Sequence, residues 1–125
     1  MILNVLFIIL VHWFADFVLQ THHMSTRKSS SNYYLTLHVT VYAFATIFLW
    51  ALVLPLLQIH LTFNGVWLSF IAIFVMHWVT DYFTSRWTSR LYKEENYHDF
   101  FVVIGFDQVL HYAQLLLTFN YILQL

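Results

Sequence analysis

The chain contains no cysteine, one proline and two glycines in 125 residues, and only 9% of its residues are charged. The missing cysteine excludes disulfides and thiolate metal sites. Scarce proline and glycine leave little with which to break helices, as transporters with discontinuous helices do. Low charge excludes an ordinary soluble domain, in which about a quarter of residues are charged because the surface must face water. From Ser29 to Thr80 there is no Asp, Glu, Lys or Arg at all. A net charge of −1 provides no basic face for nucleic acid, and no nucleic-acid partner is expected.

What is present is apolar: 61% hydrophobic residues, 21% aromatic, and a mean hydropathy of +0.70. A membrane-spanning helix needs about 20 mostly apolar residues. Residues 1–20 supply one span, and "MILNVLFIILVHWF" lacks the basic start and small-residue cleavage site of a signal peptide, so it is expected to be retained. The stretch "THHMSTRKSSSN" reads as a loop. Pro55 and "FNG" at 63–65 divide the uncharged stretch into spans near 33–57 and 65–90, and a fourth runs over 99–124. Strict alternation is absent, which argues against a barrel. The expected fold is all-α: one domain over residues 1–125, a four-helix transmembrane bundle. All five basic residues (Arg27, Lys28, Arg86, Arg90, Lys93) fall in the first and third loops. The positive-inside bias then puts those loops in the cytoplasm and both termini on the non-cytoplasmic side.

Seven His and Asp residues lie inside the spans, away from their ends: His12, Asp16, His38, His77, Asp81, Asp107 and His111. At membrane depth such residues are expensive and mark functional sites by default. Three of the pairs are four residues apart, so each His and Asp shares a helix face, one turn apart. The order is His then Asp on helices one and three, and Asp then His on helix four, which runs the opposite way. Every Asp therefore lies one turn nearer the cytoplasm than its His, and the set forms two layers in the inner half of the bundle. Three carboxylates with no Lys or Arg inside the membrane need a cationic partner: histidinium, protons or metal. Imidazole and carboxylate suit zinc first, with manganese or iron as alternatives. One ion, or two about 3.5–4 Å apart, would use this supply of ligands. Gln20 and Gln108 flank the set, and Tyr34 and Tyr42 bracket His38. The loop residues His22, His23, Glu94, Glu95, His98 and Asp99 read as a solvated face, and His60 as interfacial. Trp13, Trp78 and Trp87 read as packing.

Four segments, "HWFADFVLQT", "LHVTVYA", "HWVTDYFTSR" and "FDQVLH", resemble in order the signatures of the domain-of-unknown-function 3307 family, small bacterial and phage-encoded membrane proteins. The resemblance spans nearly the whole chain. It implies a four-helix membrane domain, distantly similar to proteins labelled membrane-bound metal-dependent hydrolases. Family members commonly carry a Lys after the first and third motifs; Arg27-Lys28 match the first, and Arg86 stands at the third. The leading expectation is a metal-dependent hydrolase in the bacterial inner membrane, multi-pass, with its site near the cytoplasmic face. Asp16, Asp81 or Asp107 would be the general base or a bridging ligand. Lys28, Arg86 and Arg90 would orient an amphiphilic or phosphorylated substrate such as a lipid headgroup, with Gln20 and Gln108 as supporting contacts. The alternatives are a bis-His haem protein, a metal or proton translocator, a phage-type modulator of a host membrane protein, and polar residues serving only to hold helices together. A homo-oligomer is compatible with each.

Overall fold

The computed structural model describes residues 2–125, and all of its regular structure is helical. Helix α1 covers Ile2–Trp13 and continues through a π turn, Phe14–Val18. The first loop is not wholly irregular: a short helix α2, His22–Arg27, forms there because the Thr21 hydroxyl caps it, accepting from the Met24 amide at 3.3 Å. Met24 is buried and anchors it. Helix α3 runs Asn32–Val53 and ends in a 3₁₀ turn, Leu54–Leu57, where Pro55 cannot supply the amide to continue an α-helix. Helix α4 spans Phe63–Lys93, and α5 spans Tyr97–Leu117 with a closing π turn at Thr118–Ile122.

Three helical stretches are long and apolar enough to cross a membrane: Asn32–Leu57, Phe63–Lys93 and Tyr97–Ile122. The first apolar segment, expected at full spanning length, is a shorter helix, Ile2–Val18. At about 1.5 Å per residue, α4 is roughly 46 Å long, more than a hydrocarbon core of about 30 Å. Its last turns, carrying Arg86, Arg90 and Lys93, extend the span instead of forming a separate loop. The chain then reverses through Glu95, whose φ of 57° is left-handed.

Helix α4 packs against α3 on one side and α5 on the other, and α1 packs against both α3 and α5. Outward faces are apolar, as Leu3, Phe44, Phe63, Phe83 and Phe101 illustrate. Trp13 and Trp87 are also exposed and do not pack inside. The interior divides along its length. Ile8, Trp50, Leu54, Ile73, Leu115, Phe119 and Leu123 form an apolar half towards the termini. His12, Asp16, His38, His77, Asp81 and His111 fill the other half, and all six are buried.

Gly65, at the start of α4, meets the backbone of Leu123: an added Cβ would overlap its carbonyl oxygen and carbon. Gly105, on α5, has open space around its missing Cβ. Gly65→Ala is therefore expected to destabilise the protein by about 1–3 kcal/mol, the range for overpacking. Gly105→Ala should stay within about 1 kcal/mol of wild type and on the stabilising side. Thermal unfolding in detergent compares the two, and equal midpoints would contradict the close approach at Gly65.

Candidate metal centre

The π turn in α1 is the first local device of the site. Its wider ring is closed by the Leu19 amide bonding to the Phe14 carbonyl at 3.1 Å. It carries Asp16, and π turns occur often at functional sites because they re-aim one side chain. Asp81 and His77 lie one turn apart on α4, and His38 faces them from α3.

Four atoms converge here. His38 Nε2 is 3.0 Å from Asp16 Oδ1 and 3.3 Å from Asp81 Oδ2. His77 Nε2 is 3.5 Å from each of the same two oxygens. The two ring nitrogens are 3.2 Å apart. Asp16 Oδ1, buried and this close to two imidazoles, still makes no aligned hydrogen bond. The His38 and His77 nitrogens meet at hydrogen-bond distance, with a carboxylate oxygen close to both. One oxygen of Asp16 and one of Asp81, with a nitrogen from each of His38 and His77, all lie within 4.8 Å, close enough to bind a metal ion.

His38 thus reaches both carboxylates from α3. On the far side, His12 Nε2 lies 3.6 Å from Asp16 Oδ2, and His111 Nε2 lies 3.5 Å from Asp81 Oδ1. Asp107 is half-buried. Its Oδ1 accepts from Thr84 Oγ1 at 2.6 Å, and its Oδ2 accepts from Gln108 Nε2 at 3.1 Å. His111 Nδ1 is 3.3 Å from Asp107 Oδ2. Gln108 Oε1 is 2.9 Å from His12 Nε2, and the Tyr42 hydroxyl is 2.9 Å from His12 Nδ1. The Tyr42 ring also lies on His77, with centroids 3.9 Å apart. Tyr34 takes no part in the cluster and accepts from Arg27 at 3.0 Å.

One expectation is corrected. The spans themselves hold no Lys or Arg next to these acids, but Lys28 folds back from the loop after α2, and its ammonium donates to Asp81 Oδ2 at 2.7 Å. Its side chain is only 18% exposed. Burial pulls the Lys28 pKa down, but the Asp81 and Asp16 carboxylates more than offset this, so it lies above the ordinary lysine value. The ammonium stays charged at neutral pH. Arg86, by contrast, is not brought to the cluster: it donates to Asn32 Oδ1 at 2.8 Å and to the Tyr82 carbonyl at 2.9 Å. Arg90 pairs with Glu94 on the exposed surface. His22, His23, His60, His98 and Asp99 are exposed, as expected of solvated or interfacial groups.

A pocket of about 350 Å³ leads to the cluster, with Asp16, Asp81, Asp107 and Lys28 among its lining. Its wall carries Thr84, Ser85, Thr88 and Ser89 from α4, with Ser25, Thr26 and Ser29 from the first loop. Phe17, Tyr92, Phe100 and Ile104 make the apolar part. Gln20 lines the same pocket, and its Oε1 is buried without a partner. The hydroxyl wall was missed by reading only titratable residues, although "TSRWTS" places Thr84, Ser85, Thr88 and Ser89 at helical repeat spacing.

An all-helical chain with three stretches able to cross a bilayer, and a buried His/Asp cluster inside, has the character of a helical membrane protein. It belongs to the DUF3307 family, described as a protein of unknown function, whose model matches residues 3–125. No curated protein and no solved structure matches the chain. The family match carries no reaction with it.

Proposed function

We propose that this protein is a membrane-embedded metal-dependent hydrolase, acting on an amphiphilic or phosphorylated substrate at the cytoplasmic side of a bacterial inner membrane. In this reading α1 completes a four-span bundle with both termini on the non-cytoplasmic side. The supporting observation is the shape of the Asp16, His38, His77 and Asp81 set. A zinc ion with bonds of about 2.0–2.1 Å to four tetrahedral ligands requires ligand–ligand edges of about 3.3–3.4 Å. The five edges above run from 3.0 to 3.5 Å. Hydrogen bonding alone does not favour two imidazole nitrogens and two carboxylate oxygens packed so closely. A shared divalent cation does; zinc fits the donors best, and manganese or iron is compatible.

Such an ion supplies Lewis acidity and lowers the pKa of a coordinated water towards neutrality. The protein's own groups do the rest. Asp107, held by Thr84 and Gln108 on the pocket wall, accepts the proton of the attacking water. Lys28 presents a fixed positive charge to an anionic group entering the pocket. The hydroxyls of Thr88 and Ser89 offer hydrogen bonds to a headgroup, while Phe100 and Ile104 suit its apolar neighbour.

The haem alternative fits less well. A bis-His haem iron holds its two nitrogens about 4 Å apart, on the scale of imidazole–metal bonds near 2 Å, whereas His38 and His77 are 3.2 Å apart with Tyr42 on the His77 ring. A translocation path is disfavoured by Ile8, Trp50 and Leu54, which fill the interior beyond the cluster.

The test is elemental analysis of detergent-purified protein beside His77→Ala, followed by hydrolysis of para-nitrophenyl phosphate and its diester in mixed micelles. At least one equivalent of transition metal is expected in wild type and at least one equivalent fewer in the variant. Turnover should vanish with chelator and return with added zinc or manganese. Wild-type protein without stoichiometric metal after zinc loading would remove the proposal.

A further inference from the structure

Asp16 and Asp81 each turn a different oxygen to each side of the cluster. Oδ1 of Asp16 and Oδ2 of Asp81 face His38 and His77. Oδ2 of Asp16 faces His12, and Oδ1 of Asp81 faces His111. The two carboxylates thus lie between two pairs of histidines: one oxygen of each Asp meets both His38 and His77, and the other oxygen of each meets His12 or His111. We infer that the site is dinuclear, with Asp16 and Asp81 bridging a first cation held by His38 and His77 and a second held by His12 and His111. This rests on the metal reading above and adds to it the assignment of ligands to two ions.

Three further observations support the second position. His111 is buried to 1% exposure, yet neither ring nitrogen makes a hydrogen bond. Nε2 and Nδ1 both have carboxylate oxygens at 3.3–3.5 Å, but not in line. An apolar site would reject a wholly unpaired imidazole, whereas a cation beside Nε2 satisfies it, with Asp107 left to accept from Nδ1–H. That outer carboxylate is the usual partner of a metal-bound histidine. His12 has the equivalent partner, the Tyr42 hydroxyl on Nδ1, which fixes the ring with Nε2 turned towards Asp16. His12, Asp16 and His111 also offer three donor atoms within 4.8 Å of one another. Gln108 Oε1, now 2.9 Å from His12 Nε2, becomes a neutral oxygen at the edge of the second position once a cation displaces that proton.

A second ion would change the charge of the centre. Three buried or half-buried carboxylates face one ammonium, Lys28. A single divalent ion would bring this set to neutrality, and a second makes it cationic. A cationic centre beside the pocket suits an anionic substrate; a neutral one offers it little.

The experiment is metal stoichiometry with a magnetic readout. Protein purified in detergent is stripped and reloaded with manganese(II), then examined by elemental analysis and electron paramagnetic resonance. Wild type is expected to hold two ions per chain with an exchange-coupled signal. His111→Ala and His12→Ala should each hold one ion and show an isolated manganese signal. The coupling test needs only the wild-type protein, so it stands even where a variant fails to fold. One ion per chain in the wild type, or two without coupling, overturns the dinuclear assignment and leaves the single-ion hydrolase intact. Manganese content well below one ion, together with no zinc uptake, overturns both.

Discussion

Asp81→Asn is expected to empty the cluster of metal. Asp81 is the residue on which most of the site depends: His38, His77, His111 and Lys28 all lie within 3.5 Å of its carboxylate oxygens. Asparagine preserves volume but removes the charge and replaces one oxygen with a donor that repels a cation. Losing an outer partner of a ligand typically lowers metal affinity 10–100-fold. Loss of an inner carboxylate should exceed that, so affinity is expected to fall at least 100-fold and hydrolysis with it. Competition against a fluorescent zinc chelator measures the change. An affinity within tenfold of wild type would show that Asp81 is not a ligand. In the metal-free state the same change leaves Lys28 buried without its partner, a situation that commonly costs about 3–5 kcal/mol.

Lys28→Met should separate metal binding from turnover. Its ammonium lies 2.7 Å from a carboxylate oxygen assigned to the metal, so it competes with a cation for that negative charge. Removing it is expected to leave metal affinity unchanged or raise it. The same ammonium faces the pocket, where it meets an anionic substrate. Unit charges about 4 Å apart at an effective dielectric near 20 interact by about 4 kcal/mol. Solvent in the open pocket reduces this, and a fall of about 100-fold in kcat/KM for a phosphorylated probe is the expected result. Unfolding supplies a second readout. Metal-free Lys28→Met should melt below metal-free wild type, because its carboxylates have lost their one cation, while metal-loaded samples should converge. A variant that lost metal and turnover together would show that the ammonium mainly holds the site in shape.

The helical class, the membrane character and the seven clustered residues could be read from the sequence because they rest on local rules. Long apolar stretches, four-residue spacing and a histidine inside an apolar span all survive without tertiary information. The distances between the ligands were not legible, because spacing along a helix says nothing about how far the neighbouring helix is rotated. The π turn at Phe14–Val18 shifts Asp16 by an amount that "HWFADFV" does not announce. Lys28 was assigned to the loop correctly, yet its reach to Asp81 depends on α2, a helix of only six residues inside a stretch that reads as loop. Arg86 illustrates the reverse error. It follows the third motif closely in sequence, but points across to Asn32 at the start of α3 and away from the pocket.

The contacts of His12 also bear on how the chain is assembled during synthesis. Its two ring nitrogens are satisfied by Tyr42 and Gln108, 30 and 96 positions further along. Helix α1 emerges from the ribosome long before either partner exists, and carries Asp16, an ionisable residue that is expensive at membrane depth until it is paired. Its partners among the later helices compensate that penalty only once they have been made. Helix α1, translated before the others described, is therefore the last of them to be secured, and its final seating waits for α5.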